Sequence, residues 1–169
     1  MWNFTGKGRP EFAIEPGPGQ ESVWDYPRPP VAEPCDREVK VLSGGTLIAQ
    51  STSSFRLKET ARPPTFYLPP DGLEPDALVP AAGQSFCEWK GVARYFALEG
   101  DPTVPVAWSY PNPSRAFSVL RDYVSFYPGR VECYVDGERV RPQAGGFYGG
   151  WITSDVVGPF KGDPDTGHW

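Results

Sequence analysis

Histidine is almost missing from this chain: its single His168 lies one residue from the end of a 169-residue sequence. Terminal residues are usually mobile, so a Ser–His–Asp or Cys–His nucleophilic site has no positioned base. Cysteine is scarce as well. Cys35, Cys87 and Cys133 are odd in number, far apart and without a C-x-x-C spacing. That pattern predicts reduced, partly buried thiols in a cytoplasmic protein and no zinc site or other cofactor. No apolar run approaches the roughly 20 residues that span a bilayer, and Met1–Lys7 lack the apolar core of a secretory signal. Positive charge is in short supply, with 16 Lys and Arg against 21 Asp and Glu and a net charge of −5. Without a basic patch to displace counterions, nucleic acid is not expected as a partner; nor is a membrane.

Phosphate-binding motifs are missing too. There is no Walker A loop and no G-x-G-x-x-G between a strand and a helix; Gly17-Pro18-Gly19 belongs to a Pro-rich loop. The D-x-D at Asp163-Pro164-Asp165 sits in a Gly-rich tail and reads as a solvated turn. Two-cation phosphoryl or nucleotidyl transfer therefore has no linear carboxylate motif, although folding can still bring separate carboxylates together.

Proline and glycine are abundant, at 21 and 19 residues. That content argues against helical bundles, because Pro removes an amide donor and clashes inside helices. Disorder is excluded by 39% hydrophobic and 14% aromatic residues, too much apolar surface for a solvated coil. The sequence thus predicts one mainly β domain, residues 38–143, flanked by an extended Pro-rich arm (1–37) and a Gly/Pro/aromatic arm (144–169). Trp24, Tyr26 and Val31 are too apolar to stay wet. They are expected to lie against the domain or against a second copy, which makes an arm-mediated homodimer one of the partners to look for. Trp151 and Phe160 are expected to anchor the C-terminal arm.

Within the body, Val39–Leu42, Gly44-Gly45 and Leu47–Ala49 read as strand, tight turn, strand. Alternation over Ser54–Glu59 predicts a strand with Phe55 and Leu57 inward. Short strands follow at Thr65–Leu68, Ser85–Trp89, Gly91–Leu98 and Val104–Ser109, with a last hairpin around Asp136-Gly137. One helix is predicted. Asn112 suits its N-cap, Pro113 its first position, and Ala116, Phe117, Leu120, Tyr123 and Val124 its spacing.

Three stretches stand out together: Phe86–Phe96 (FCEWKGVARYF), Ala107–Pro113 (AWSYPNP) and Phe126–Val131 (FYPGRV). With Leu57–Thr60 and Pro64–Pro69, they resemble the bacterial domain-of-unknown-function family 427, whose members carry the label "nucleotidyltransferase of unknown function". The resemblance spans roughly residues 38–142. It implies a β-tent-like fold, two antiparallel sheets leaning together over a cleft. The zinc-binding relatives of that fold use C-x-x-C pairs, which this chain lacks, so no metal is carried over. The transferase label likewise finds no support in the carboxylate pattern.

The candidate ligand-binding residues are Glu59, Tyr67, Lys90, Tyr95, Trp108 and Tyr110. Lys90-Gly91 reads either as a hairpin turn with a solvated lysine or as a positive charge where a ligand approaches closely. Trp108 and Tyr110 share one strand face as an apolar platform with a polar tip, in the core or at the cleft mouth. Glu59 ends an apolar strand. It reads first as a solvated strand end, and otherwise as an acid–base group among the phenols of Tyr67 and Tyr95 or a structural partner for Arg28. Three functional readings follow: a cleft binding a small polar or anionic molecule, a transferase or acid–base enzyme, and an interaction module working through the Pro-rich arm.

Overall fold

The computed structural model describes residues 2–146 and 148–169; Met1, and Phe147 in the aromatic tail, lie outside it. The strands in chain order begin with β1 (Glu21–Ser22), β2 (Val31–Cys35), β3 (Val39–Ser43), β4 (Thr46–Ser51) and β5 (Ser54–Lys58). They continue with β6 (Thr65–Tyr67), β7 (Leu78–Cys87), β8 (Gly91–Leu98), β9 (Asp101–Ser109) and β10 (Val124–Phe126). The last are β11 (Glu132–Val135), β12 (Glu138–Arg139), β13 (Arg141–Pro142), β14 (Trp151–Ile152) and β15 (Val156–Val157). Helical structure among the described residues is confined to 3₁₀ turns, as the proline and glycine content demands.

Three antiparallel sheets make the body: β2-β5-β6, β10-β9-β8-β7 and β12-β11-β3-β4. The first two join along a seam. Leu68 and Val124 exchange backbone hydrogen bonds of 2.8 and 2.9 Å, linking β6 to β10. Because side chains alternate along a strand, the joined sheets have two distinct faces. Phe66, Leu68, Ala107, Val124 and Phe126 point one way, onto Val39, Val41, Cys133 and Val135 of the third sheet, and form the main core. Tyr67, Trp108 and Tyr110 point the other way, into the space between β5-β6 and β7-β8-β9. This is the tent-like arrangement the sequence implied, with the third sheet as a backing layer.

Both arms pack on the same chain. β1 and β15 pair in parallel, Glu21 with Val156 and Ser22 with Val157. Trp24 is fully buried, its indole Nε1 donating to Pro159 O at 3.1 Å. Phe4, Phe12 and Trp169 stand around it with ring centroids 5.2–5.3 Å away. Trp151 is the second anchor: it is fully buried, stacks on Phe66 at 5.1 Å and donates to Phe126 O at 2.9 Å. Phe160 is partly buried against the Trp24 cluster.

Several local expectations need correction. Val31 is 45% exposed, because as the first residue of an outer strand it turns its side chain away from the sheet's covered face. The helix is only a 3₁₀ segment, Arg115–Leu120, with Ser114 rather than Asn112 at its N-cap. Phe117 leaves helical geometry there (φ −118°, ψ 22°) and Asp122 takes φ 61°. Val124, which fits helical spacing, is taken by the seam with Leu68 instead; sheet pairing and core burial outweigh a local pattern. β7 starts at Leu78 rather than Ser85. A register shift between Ala81 and Gln84, with Gly83 at φ 98°, interrupts the alternation that marks a strand. β9 likewise begins at Asp101 rather than Val104.

Candidate functional site

The inward face of the tent is set by ladder register. Ser125 lies opposite Trp108, and Trp108 opposite Tyr95. Leu57 lies opposite Thr65, two residues from Tyr67. Antiparallel partners point to the same face, so Trp108, Tyr95, Leu57 and Tyr67 turn toward one space. That space is a cavity of about 430 Å³, within the size range of small-molecule sites. The tail supplies another wall through Gln143 and Gly149-Gly150. Gly149 lies flat against the Trp108 indole, where any Cβ would collide with the ring. Gln143 holds this segment in place: its Oε1 accepts from Gly150 N at 3.1 Å and its Nε2 donates to Lys161 O at 2.5 Å.

All six residues singled out from sequence line this one cavity. Lys90 is only 9% exposed, so it is not a solvated turn lysine. Its ammonium sits 5.5 Å from the centre of the Tyr110 ring, and no carboxylate lies within ion-pair distance of it among the described residues. Gly91 follows at φ 103°, a backbone conformation that favours glycine, and this turn brings Lys90 back over the sheet. Tyr67 accepts from Trp108 Nε1 at 3.2 Å, and Tyr95 donates to Ser85 Oγ at 2.7 Å.

Glu59 is not the solvated strand end expected: it is 7% exposed, because the chain folds it between two guanidiniums, 3.6 Å from Arg28 and 3.3 Å from Arg62. The Arg28 pair is the structural alternative raised from the sequence. Arg28 also donates to Thr60 O at 2.9 Å, and burial lowers its basicity despite Glu59 beside it. Lys161 is buried close by, its backbone N–H bonded to Ala61 O at 2.8 Å; burial, then Arg62 and Arg28, lower its pKa below the usual lysine value. Three cations therefore gather around one carboxylate side chain. Burial, followed by Tyr67, holds the Tyr110 phenol well above its ordinary value, and burial with Tyr95 beside it does the same for Tyr127. Both stay neutral hydroxyls at physiological pH.

Arg62, Tyr127, Gln143 and the Gly149-Gly150 wall were not singled out from the sequence. Only the glycine pair left a local sign, a Gly-Gly step beside aromatics in an otherwise irregular tail. Arg62 and Gln143 reach the site from loops far apart in the chain, which periodicity does not register. Among the described residues no group of three or more His, Cys, Asp or Glu side chains is placed to hold a metal ion. The carboxylate cluster that two-cation nucleotidyl transfer needs is thus not assembled there, and the residues present do not fit such a centre. No helix among the described residues is long and apolar enough to cross a membrane.

Comparison with curated proteins gives no match. The tent of paired sheets, with its Phe86–Phe96 hairpin over an aromatic cavity, lies mostly within residues 31–137, the span matched by a family model described as a domain of unknown function, DUF427; the chain belongs to that family.

Proposed function

We propose that the cavity binds a small organic anion. The observation that carries this reading is Lys90, a lysine only 9% exposed and with no acidic partner within ion-pair distance among the described residues, lining the cavity in a chain of net charge −5. This ammonium opens onto the cavity without a counter-charge, and an anionic ligand would supply one through a charge-assisted hydrogen bond. Arg62 also lines the cavity, with Lys161 and Arg28 behind it, set against the carboxylates of Glu59 and Glu88. The phenols of Tyr67, Tyr95 and Tyr110 would hydrogen-bond the ligand's polar atoms.

The transferase reading suggested by the family's label has less to draw on. Its candidate acid–base group, Glu59, is held between Arg28 and Arg62. The arm-docking reading is weakened because Trp24 and Tyr26, its large apolar groups, are buried within the same chain.

A thermal-shift screen of small carboxylates and phosphates tests the proposal on the wild type and Lys90→Ala. At least one anion should raise the melting temperature of the wild type and lose most of that effect in the variant. No response to any anion, or an unchanged response without Lys90, overturns it.

A further inference from the structure

The walls of the cavity specify more than charge. We propose that its ligand is an aromatic acid: a flat ring seated against Trp108, with its carboxylate or equivalent anionic group at Lys90. This rests on the anion-binding reading above and adds the chemistry of the uncharged part.

Four aromatic side chains of the inward face meet at angles. Tyr67 and Trp108 stand edge to face, with centroids 6.2 Å apart and planes at 89°. Trp108 and Tyr127 are 4.6 Å apart at 50°, and Tyr67 and Tyr110 are 6.4 Å apart at 41°. None of these pairs is a parallel stack, so adjacent rings present a face and an edge to the same space. A flat ligand ring meets both in the offset and edge-to-face geometries that aromatic groups prefer, whereas a puckered aliphatic body does not. Bare backbone forms part of the wall as well: Gly149 covers one part of the Trp108 indole with no room for a side chain, and Gly150 packs equally tightly on Gln143 and Pro63. The space is therefore lined by tilted rings and, beside them, bare peptide backbone.

Charge is placed to one side of the indole. Lys90 lies beside Tyr110, which stands two residues after Trp108 and just past the end of β9. An aryl group on Trp108 would thus direct a substituent toward the ammonium. The Tyr110 and Tyr127 hydroxyls beside the ring site stay neutral, and they tolerate ring nitrogens or hydroxyls without adding charge.

The test separates ring from charge. Three probes of similar size are titrated into the full chain by isothermal calorimetry: 2-naphthoate, its saturated analogue decalin-2-carboxylate, and the neutral 2-naphthamide. The expected order places naphthoate about tenfold tighter than either analogue, the size of an aromatic contact beyond simple burial. Lys90→Ala should abolish the advantage over the amide and keep the advantage over decalin carboxylate. Trp108→Leu should do the reverse. Because Trp108 also helps hold the fold, Tyr127→Leu and upfield ring-current shifts of the bound naphthoate protons in the wild type provide a second readout. Equal binding of decalin carboxylate and naphthoate overturns the aromatic inference and leaves anion binding standing. Equal binding of the amide and naphthoate overturns the anion reading, and with it the placement of the acid group at Lys90. Failure of all three probes to bind overturns both.

Discussion

Glu59 shows how one side chain can belong to a cavity wall without being free to do chemistry there. Its side chain is 8% exposed and its one negative charge is shared between two guanidiniums, one of which, on Arg28, belongs to a side chain only 2% exposed. Replacing it with Gln leaves that buried cation without its acidic side-chain partner, a loss of about 3 kcal/mol for broken buried pairs. Glu59→Gln should lower the urea midpoint accordingly with an unchanged slope, whereas a solvated residue would shift it by less than about 0.5 kcal/mol. The candidate list drawn from sequence was legible for a physical reason. Tyr95 and Trp108 sit on long strands whose alternation fixes their face, Tyr67 lies in a short one, and Lys90 and Tyr110 stand next to strand ends. Of the cations that set the field around Glu59, Arg28 was raised from the sequence as a partner, whereas Arg62 and Lys161 come from loops where nothing in the local sequence distinguishes them from surface cations.

Elements were readable where the chain turns tightly and poorly readable where pairing is irregular. The β3–β4 and β11–β12 hairpins follow their glycine turns, and β8 has the expected ends. β7 and the 3₁₀ segment did not, since a bulge in one and a seam in the other override local patterns. The β11–β12 turn also carries a pH-dependent contact. Asp136 accepts from Arg37 Nε at 3.0 Å and from Glu38 N at 2.9 Å. The Arg37 hydrogen bond, then the backbone one, hold its carboxyl below the usual range. A depressed folded value means that the contact stabilises above the unfolded pKa, near 3.9, and fades as pH falls through the folded value. Asp136 is largely exposed, so screening limits its contribution to about 0.5–1 kcal/mol. Asp136→Asn should melt a few degrees lower than the wild type at pH 7, and the gap should close as the pH is taken below about 4. A gap that stays constant down to pH 2.5 would remove Asp136 ionisation as the cause.

At the scale of the whole molecule, the family span and the folded unit do not coincide. Residues 31–137 hold most of the three sheets and most of the cavity. Two fully buried tryptophans lie outside that span: Trp24 before it, and Trp151 after it, stacked on Phe66 in the main core. The sequence marked both arms by composition and both tryptophans by their apolar cost in water. It left open whether the arms fold back, because that depends on partners more than a hundred residues away, as in the β1–β15 pair. Losing a buried tryptophan typically costs about 3–5 kcal/mol, comparable to the lower end of a domain's total stability of about 5–15 kcal/mol. A fragment of residues 31–137 should therefore lack a cooperative thermal transition, while the full chain shows one, and Trp151→Ala in the full chain should lower the unfolding free energy by about 3–5 kcal/mol. If the fragment instead melts cooperatively near the temperature of the full chain, the arms are accessory. The Gly149–Trp108 wall would then be an addition to a cavity that stands without it.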